Sequence, residues 1–203
     1  MTDTTSSPDI WNHNIHYQEI LLGALPHHCR SALDLGCGQG FLLGPLAQRA
    51  DIVVGIDRDA PSLAEAAERT AASDNVQLVE GDAMTHRFEQ QFDAVLSIAV
   101  LHHLPLEAGL QRMVQLTAPG GVLGVVGLAR SGSLHDHARD AMGVVETRVR
   151  RLRRPHTMVT APVCDPEETY REIRTVATDL LPGVRFRRHN LFRYSLVWTR
   201  PSR

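Results

Sequence analysis

The fold is decided by the stretch "ALDLGCGQGFLLGPLA", residues 32–47, in which an apolar run leads through Asp34 to a helix-like pattern of leucines. Three glycines lie between them at alternate positions, namely Gly36, Gly38 and Gly40. A tight turn alone explains one or two glycines, whereas three between a buried strand and a helix favour a turn that binds a ligand. A dinucleotide turn, G-x-G-x-x-G, would place its third glycine at residue 41, which is Phe41. The spacing here is therefore not that of a dinucleotide site.

Short apolar runs alternate with helical patterns along the middle of the chain. Strands are predicted at residues 31–36, 51–57, 75–82, 92–100 and 120–128. Helices are predicted at residues 10–25, 41–50, 60–73 and 105–117. Continuous apolar strands separated by helices are typical of a parallel sheet that is covered on both faces.

The pattern changes after residue 128. A helix is predicted at residues 165–181, with Asp165 as its cap, Pro166 in its first turn and Glu168 at a capping-box spacing. Two final apolar runs flank Asn190 and are expected to pair as an antiparallel hairpin.

Acidic residues follow the first three predicted strands. Asp57, about 20 residues beyond the glycines, can accept hydrogen bonds from both hydroxyls of a ribose. The alternative role, a helix cap, suits Asp59 better. Asp82 can accept a hydrogen bond from an adenine amino group, or it can be a solvated turn residue. Ligands of open α/β sheets bind at the carboxyl ends of the strands, so Asp34, Asp57 and Asp82 together point to one site.

These segments resemble a known family. "LDLGCGQG", "GIDRD", "EGDAM", "FDAVLSIAVLHHL" and "LTAPGGVLGVVGL", in this order over about residues 30–130, are similar to the class I S-adenosylmethionine-dependent methyltransferases. The resemblance implies a Rossmann-like α/β fold: a seven-stranded, mostly parallel sheet with an antiparallel last strand, helices on both faces and a small helical cap. It also implies S-adenosylmethionine as cofactor and S-adenosylhomocysteine as product.

The resemblance further implies roles for individual residues around the cofactor. The glycine turn would lie under the methionine part, Asp57 would bind the ribose, Asp82 and the Ala83 N–H would contact the adenine, and strand four would end near the methionine amine. The implied cofactor-binding set is Tyr17, Asp34, Gly36, Cys37, Gly38, Gly40, Asp57, Arg58, Asp82, Ala83, Ser97 and Ile98.

The candidates for catalysis are His102 and His103, which follow the fourth strand directly. A base assists transfer to a hydroxyl or a protonated amine, and histidine titrates in a suitable range; the alternative is that both only line the pocket. The N-terminal helix, residues 10–25, either covers the site or packs on the sheet as an amphipathic helix. From its residues Trp11, His13, Asn14, His16 and Tyr17, we select Tyr17 as the cofactor contact.

Residues 130–182 are expected to form a helical cap that binds the acceptor. The basic run from Arg148 to Arg154 is either a solvated surface or a site for an anionic acceptor or nucleic acid. Residues 1–100 carry 5 arginines and 14 acidic residues, and residues 101–203 carry 16 and 9, an asymmetry that also suits anionic ligands. The predicted reaction is methyl transfer to oxygen or nitrogen of a small molecule. The alternatives are an RNA or protein methyltransferase and a non-catalytic cofactor-binding subunit.

Length and composition predict one domain over residues 1–203, with residues 1–9 disordered. The N-terminus has no signal-peptide pattern, and the longest apolar runs are too short to span a bilayer. Three widely spaced cysteines, Cys29, Cys37 and Cys164, form no zinc motif. We therefore expect a cytoplasmic protein without a bound metal or a membrane partner.

Overall fold

A computed structural model of the chain describes residues 13–131, 166–190 and 192–202. Within these residues, no helix is long and apolar enough to cross a membrane.

Seven strands form a single sheet in the order β3-β2-β1-β4-β5-β7-β6. Their bounds are β1 Cys29–Leu35, β2 Ala50–Asp57, β3 Val76–Glu80, β4 Phe92–Ile98, β5 Thr117–Leu128, β6 Arg185–Arg188 and β7 Arg193–Thr199. The first five strands pair in parallel, and β7 is antiparallel to both β5 and β6. The predicted fold, including the antiparallel last strand, is therefore confirmed.

Five α-helices and one 3-10 turn lie in the described part of the chain. Their bounds are α1 His13–Leu22, α2 Leu43–Ala47, α3 Ala60–Thr70, the turn Leu101–His103, α4 Leu106–Leu116 and α5 Tyr170–Leu180. The Asp59 carboxylate caps α3 by accepting from the Ser62 N–H at 3.0 Å. Asp59 is thus the helix cap, as its position before Ala60-Pro61 predicts.

The helices predicted at residues 10–25 and 60–73 end three residues earlier, at Leu22 and Thr70, and two other helices differ more. The helix expected at residues 41–50 is only the five-residue α2. The helix α5 begins later than predicted, because Thr169 is its N-cap and forms a reciprocal capping box with Glu172. Pro166 and Glu168 precede that cap, so the assignment of Glu168 to a capping box is wrong. The T-x-x-E spacing four residues downstream, from Thr169 to Glu172, forms the cap instead.

Apolar side chains from both faces of the sheet form two core clusters. On one face, α4 and α5 contribute residues such as Leu110, Met113 and Ile173. On the other, α1, α2 and α3 contribute residues such as Leu21 and Leu46. The last part of the predicted cap, α5, therefore packs in the core against α4, and the rest of the predicted cap lies in residues 132–165, outside the described residues.

Candidate active site

The glycine turn connects β1 to α2 at the carboxyl edge of the sheet. Its first two N–H groups, of Gly36 and Cys37, both donate to the Ile56 carbonyl, at 2.9 and 3.0 Å. The next glycine, Gly38, has φ +49° and donates its N–H to Asp57 Oδ2 at 2.7 Å. Asp57 Oδ1 accepts from the Asp59 N–H at 2.9 Å. One carboxylate therefore fixes the glycine turn and the end of β2 relative to each other, because each of its oxygens accepts a backbone N–H.

Two glycines of the turn are required for different reasons. Gly36 has φ +77°, and a Cβ at this position would overlap the Val100 side chain. Gly40 has φ +76°, and its Cβ would lie 2.8 Å from Ala66 Cβ of α3. A positive φ favours glycine at both positions, but Gly36 shapes the cavity wall while Gly40 allows α3 to pack against the turn.

The turn forms one wall of a cavity of about 490 Å³, a size typical of small-molecule sites. The other walls come from the ends of β2, β3 and β4, from α1 and from the turn before α4. The lining residues are Gln18, Asp34, Gly36, Cys37, Gly38, Gln39, Phe41, Leu42, Ile56, Asp57, Arg58, Asp59, Ser62, Gly81, Asp82, Ala83, Ile98, Ala99, Val100, His103 and Leu104. The cavity thus lies where the sheet order reverses between β1 and β4, the usual ligand position in open α/β sheets.

The cavity is acidic on the side of β1, β2 and β3. Asp34 is only 3% exposed, and burial together with the nearby Asp57 charge raises its pKa to about 7. Burial, with the Asp34 and Asp57 charges, also raises the pKa of the Cys37 thiol, so Cys37 is an inert packing residue of the wall. Acidic side chains here favour a ligand with positively charged groups.

Most of the predicted cofactor residues meet at this cavity. Nine of them line it: Asp34, Gly36, Cys37, Gly38, Asp57, Arg58, Asp82, Ala83 and Ile98. The Asp82 carboxylate accepts from the Met84 N–H at 2.8 Å and is exposed. These residues come from the ends of the first four strands, as their spacing in the sequence indicates.

Tyr17, Gly40 and Ser97 do not line the cavity. Tyr17 is 8% exposed; its ring packs 5.0 Å from the His189 ring, and its hydroxyl donates to the Asn190 carbonyl. Its neighbour Gln18 lines the cavity instead, because consecutive helical residues face about 100° apart. The Ser97 hydroxyl donates to the Leu35 carbonyl at 2.9 Å and ties β4 to β1.

The two histidines after β4 have different positions. His103 is exposed and lines the cavity, whereas His102 is partly buried and does not line it. The pKa of His102 is lowered to about 4 by burial and then by the charges of His103 and Arg193. Burial and the Arg58 charge also lower the pKa of His103. Both rings are therefore neutral at pH 7, and His103 is the histidine placed to meet a ligand.

Several lining residues were not predicted. Gln39 and Phe41 belong to the glycine stretch itself; the Gln39 amide donates to Glu65, and the Arg69 guanidinium lies 3.9 Å above the Phe41 ring. Ala99 follows β4 with φ +57°, an uncommon conformation for alanine that marks functional sites. The run "SIAV" indicated the cavity wall at the end of β4, but nothing in its sequence indicates a left-handed backbone conformation at Ala99.

Some predicted positions fall outside the described residues. Trp11 and the basic run from Arg148 to Arg154 are among them, and no side chain before Tyr17 is described. Within the described ranges, no group of three or more His, Cys, Asp or Glu residues is placed to hold a metal ion.

The sequence of this chain is similar to the sequences of known methyltransferases. The family described as "methyltransferase domain" matches residues 32–121. An uncharacterized methyltransferase of Mycobacterium tuberculosis is 35% identical over 197 residues, which cover 94% of this chain and 98% of that protein.

Solved structures have the same fold. The DhpI complex with SAH aligns with a TM-score of 0.63 at 22% identity, covering 92% of this chain and 83% of that one. The N-methyltransferase NodS of Bradyrhizobium japonicum, in complex with S-adenosylhomocysteine, aligns with a TM-score of 0.62 at 17% identity, covering 93% and 86%. At these identities the likeness establishes the architecture.

Proposed function

Because this chain belongs to the S-adenosylmethionine-dependent methyltransferases, we propose that it methylates an oxygen or nitrogen atom of a small molecule. The observation that carries this proposal is the shape of the cavity at the end of β4. Gln18 of α1 and His103 of the 3-10 turn line the same cavity as the glycine turn. An acceptor must therefore enter a recess between two elements, which suits a small molecule.

The residues of the cavity fit S-adenosylmethionine. Gly36 and Gly38 have no side chain where the turn faces the cavity, so a ligand can approach the backbone closely. Each Asp57 oxygen accepts one backbone N–H and keeps acceptor capacity for a ribose hydroxyl. Asp82 and Ala83 would hold the adenine, and Asp34 would face the positively charged methionine end. A ligand without phosphates needs no phosphate-binding loop, which agrees with the G-x-G-x-G spacing.

The reaction requires mainly positioning by the protein. The bound cofactor supplies an electrophilic methyl group on a positively charged sulfur. The residues of this chain hold the acceptor in line with that group and exclude water. Val100 and His103, at the end of β4, lie on the side from which the acceptor would enter. A neutral His103 can accept a proton from a hydroxyl or an ammonium group, or can orient it through a hydrogen bond.

The experiment that tests this proposal measures where the label goes. A mycobacterial extract is chosen because of the mycobacterial relative. The extract is first divided into a small-molecule filtrate and a macromolecular retentate. Each part is then incubated with the protein and methyl-labelled S-adenosylmethionine. We expect label in the filtrate, and no label with Asp57→Ala. Label confined to RNA or protein in the retentate would contradict the proposal and support the alternative acceptors.

A further inference from the structure

The loop after β3 forms the side of the cavity where the adenine is expected to bind. Gly81, Asp82 and Ala83 line the cavity there. The Asp82 carbonyl accepts the His86 N–H at 2.8 Å, and this hydrogen bond closes a single turn of backbone over residues 82–86. We call residues 82–86 the adenine turn.

A guanidinium group from α4 contacts the adenine turn at two points. Arg112 Nε donates to the Ala83 carbonyl at 3.0 Å, and Arg112 Nη2 donates to the His86 carbonyl. The N–H groups of a guanidinium have a fixed, planar arrangement, so two such bonds define where the two carbonyls lie relative to each other. Arg112 does not line the cavity itself. It therefore supports the adenine turn from behind.

One of these hydrogen bonds acts on a peptide group that Asp82 also contacts. The Ala83 carbonyl and the Met84 N–H belong to the same peptide group. The carbonyl accepts from Arg112, and the Met84 N–H donates to Asp82 Oδ1 at 2.8 Å. Because a peptide group is planar and rigid, fixing its oxygen also fixes the direction of its N–H. Arg112 thereby orients the Asp82 carboxylate, which keeps acceptor capacity for a ligand.

The surroundings of Arg112 make α4 a rigid support. Leu110 and Met113, on the same helix, are buried in the core. The Arg112 guanidinium carbon lies 6.0 Å from the centre of the Phe88 ring, and that ring packs edge-on against the buried Phe92 of β4. The adenine turn is thus connected through Arg112 to the core. A binding loop that is held in this way loses less conformational freedom when its ligand binds.

We propose that Arg112 is a positioning residue for the cofactor, because it holds the Asp82 carboxylate in the orientation that accepts a hydrogen bond from the adenine amino group. This proposal rests on the proposed function, and it assigns the preference for adenine partly to a residue outside the cavity. Without Arg112, the Ala83 and His86 carbonyls lose their side-chain donor. The Asp82 carboxylate then no longer keeps one orientation toward the base.

The test compares two ligands that differ only in the base, S-adenosylhomocysteine and S-inosylhomocysteine, by titration calorimetry. Hypoxanthine carries an oxygen in place of the amino group and cannot donate to Asp82 from that position. We expect the wild type to bind the adenine ligand about 10-fold more tightly, the usual effect of a hydrogen bond to a charged group. Arg112→Gln should remove most of this preference by weakening only the binding of S-adenosylhomocysteine. A purely structural role would weaken the binding of both ligands equally.

Arg200→Gln is the matched control. The Arg200 guanidinium also donates to two backbone carbonyls, those of Val114 and Thr117, but at the opposite end of α4, where β5 begins. Arg200 and Arg112 are both partly exposed. Arg200→Gln should therefore lower the unfolding free energy to a similar extent and leave the ratio of the two Kd values unchanged. Arg112→Lys keeps the charge without the planar group and should retain part of the adenine preference; it carries the comparison if Arg112→Gln does not fold.

A second set of variants tests whether Arg112 acts through Asp82. In an Asp82→Ala background, Arg112→Gln should not change the ratio of the two Kd values further, because the two residues act as one unit. Equal weakening of both ligands by Arg112→Gln would overturn the proposal, and so would an unchanged ratio or a wild type that does not distinguish the two bases. Transfer of label to the small-molecule filtrate would then still support the proposed function. A wild type that binds neither ligand would overturn both.

Discussion

Replacing Asp57 with alanine is expected to weaken binding of S-adenosylhomocysteine about 100-fold, or roughly 3 kcal/mol. The Asp57 carboxylate has two tasks in the structure. It accepts the Gly38 and Asp59 N–H groups at 2.7 and 2.9 Å, and its remaining acceptor capacity faces the cavity. Two ribose hydroxyls bound to a carboxylate would each contribute about 1.5–3 kcal/mol, and the two contributions are not fully additive.

Isothermal titration calorimetry measures this effect directly. Asp59→Ala is the matched control, because it removes the same charge two residues away but keeps the backbone N–H that Asp57 accepts. That control should lose about 1 kcal/mol of unfolding free energy, since the Asp59 carboxylate caps α3, and should bind with nearly unchanged affinity. An Asp57→Ala protein that is folded and binds within about threefold of the wild type would refute the assignment of the ribose to Asp57.

Three further predictions concern the stability of the fold. Gly36→Ala should lower the unfolding free energy by about 2–4 kcal/mol in a denaturant titration, because the new Cβ would overlap Val100 at a positive φ. Gly44→Ala in α2 is the control and should be neutral or stabilising in the same titration. The pKa of Asp34 is about 7 in the folded protein and about 3.9 when unfolded. The folded state therefore binds this proton more tightly than the unfolded state. The unfolding free energy should fall by up to ~4 kcal/mol as the pH rises from about 4 to 7. Urea titrations at the two pH values measure this loss, and the Asp34→Asn variant should not show it. Thr169→Ala should cost about 1 kcal/mol by removing the capping box of α5, while Thr178→Ala, inside the helix, should not.

The sequence was sufficient for the sheet and for the acidic half of the site. Strand runs and their order are visible as short apolar segments between helical patterns, and Asp34, Asp57 and Asp82 follow directly from their positions after three of those strands. Residues that end parallel strands must meet at one edge, so contacts between distant segments could be predicted without any knowledge of side-chain packing.

The rotation of a helix about its own axis could not be predicted from the sequence. Choosing Tyr17 rather than Gln18 required the rotation of α1 about its axis, which depends on how its apolar face packs against the sheet. Ser97 was selected for its position at a strand end, but alternate residues of a strand face opposite sides, and its hydroxyl bonds to Leu35. The capping box of α5 was misassigned because two candidate spacings lie next to each other, and only the fold selects between them.

The ends of β6 and β7 illustrate a different limit. Arg188 and Arg193 lie far from the glycine turn in the sequence, and only the antiparallel pairing of β7 brings them to the carboxyl edge. The excess of arginine in the second half of the chain indicated anionic ligands without locating a site. The resemblance of the segments at the strand ends to a known family indicated the cofactor, whereas residues that would bind an acceptor depend on the arrangement of several loops.

The most direct test of the central claim is a crystal structure of the protein with S-adenosylhomocysteine bound. It should place the ribose hydroxyls within hydrogen-bond distance of the Asp57 carboxylate, the adenine beside Asp82 and Ala83, and the amino acid end against Gly36. Adenosine bound elsewhere in the molecule, or a ribose that does not contact Asp57, would contradict the assignment of this cavity as the cofactor site.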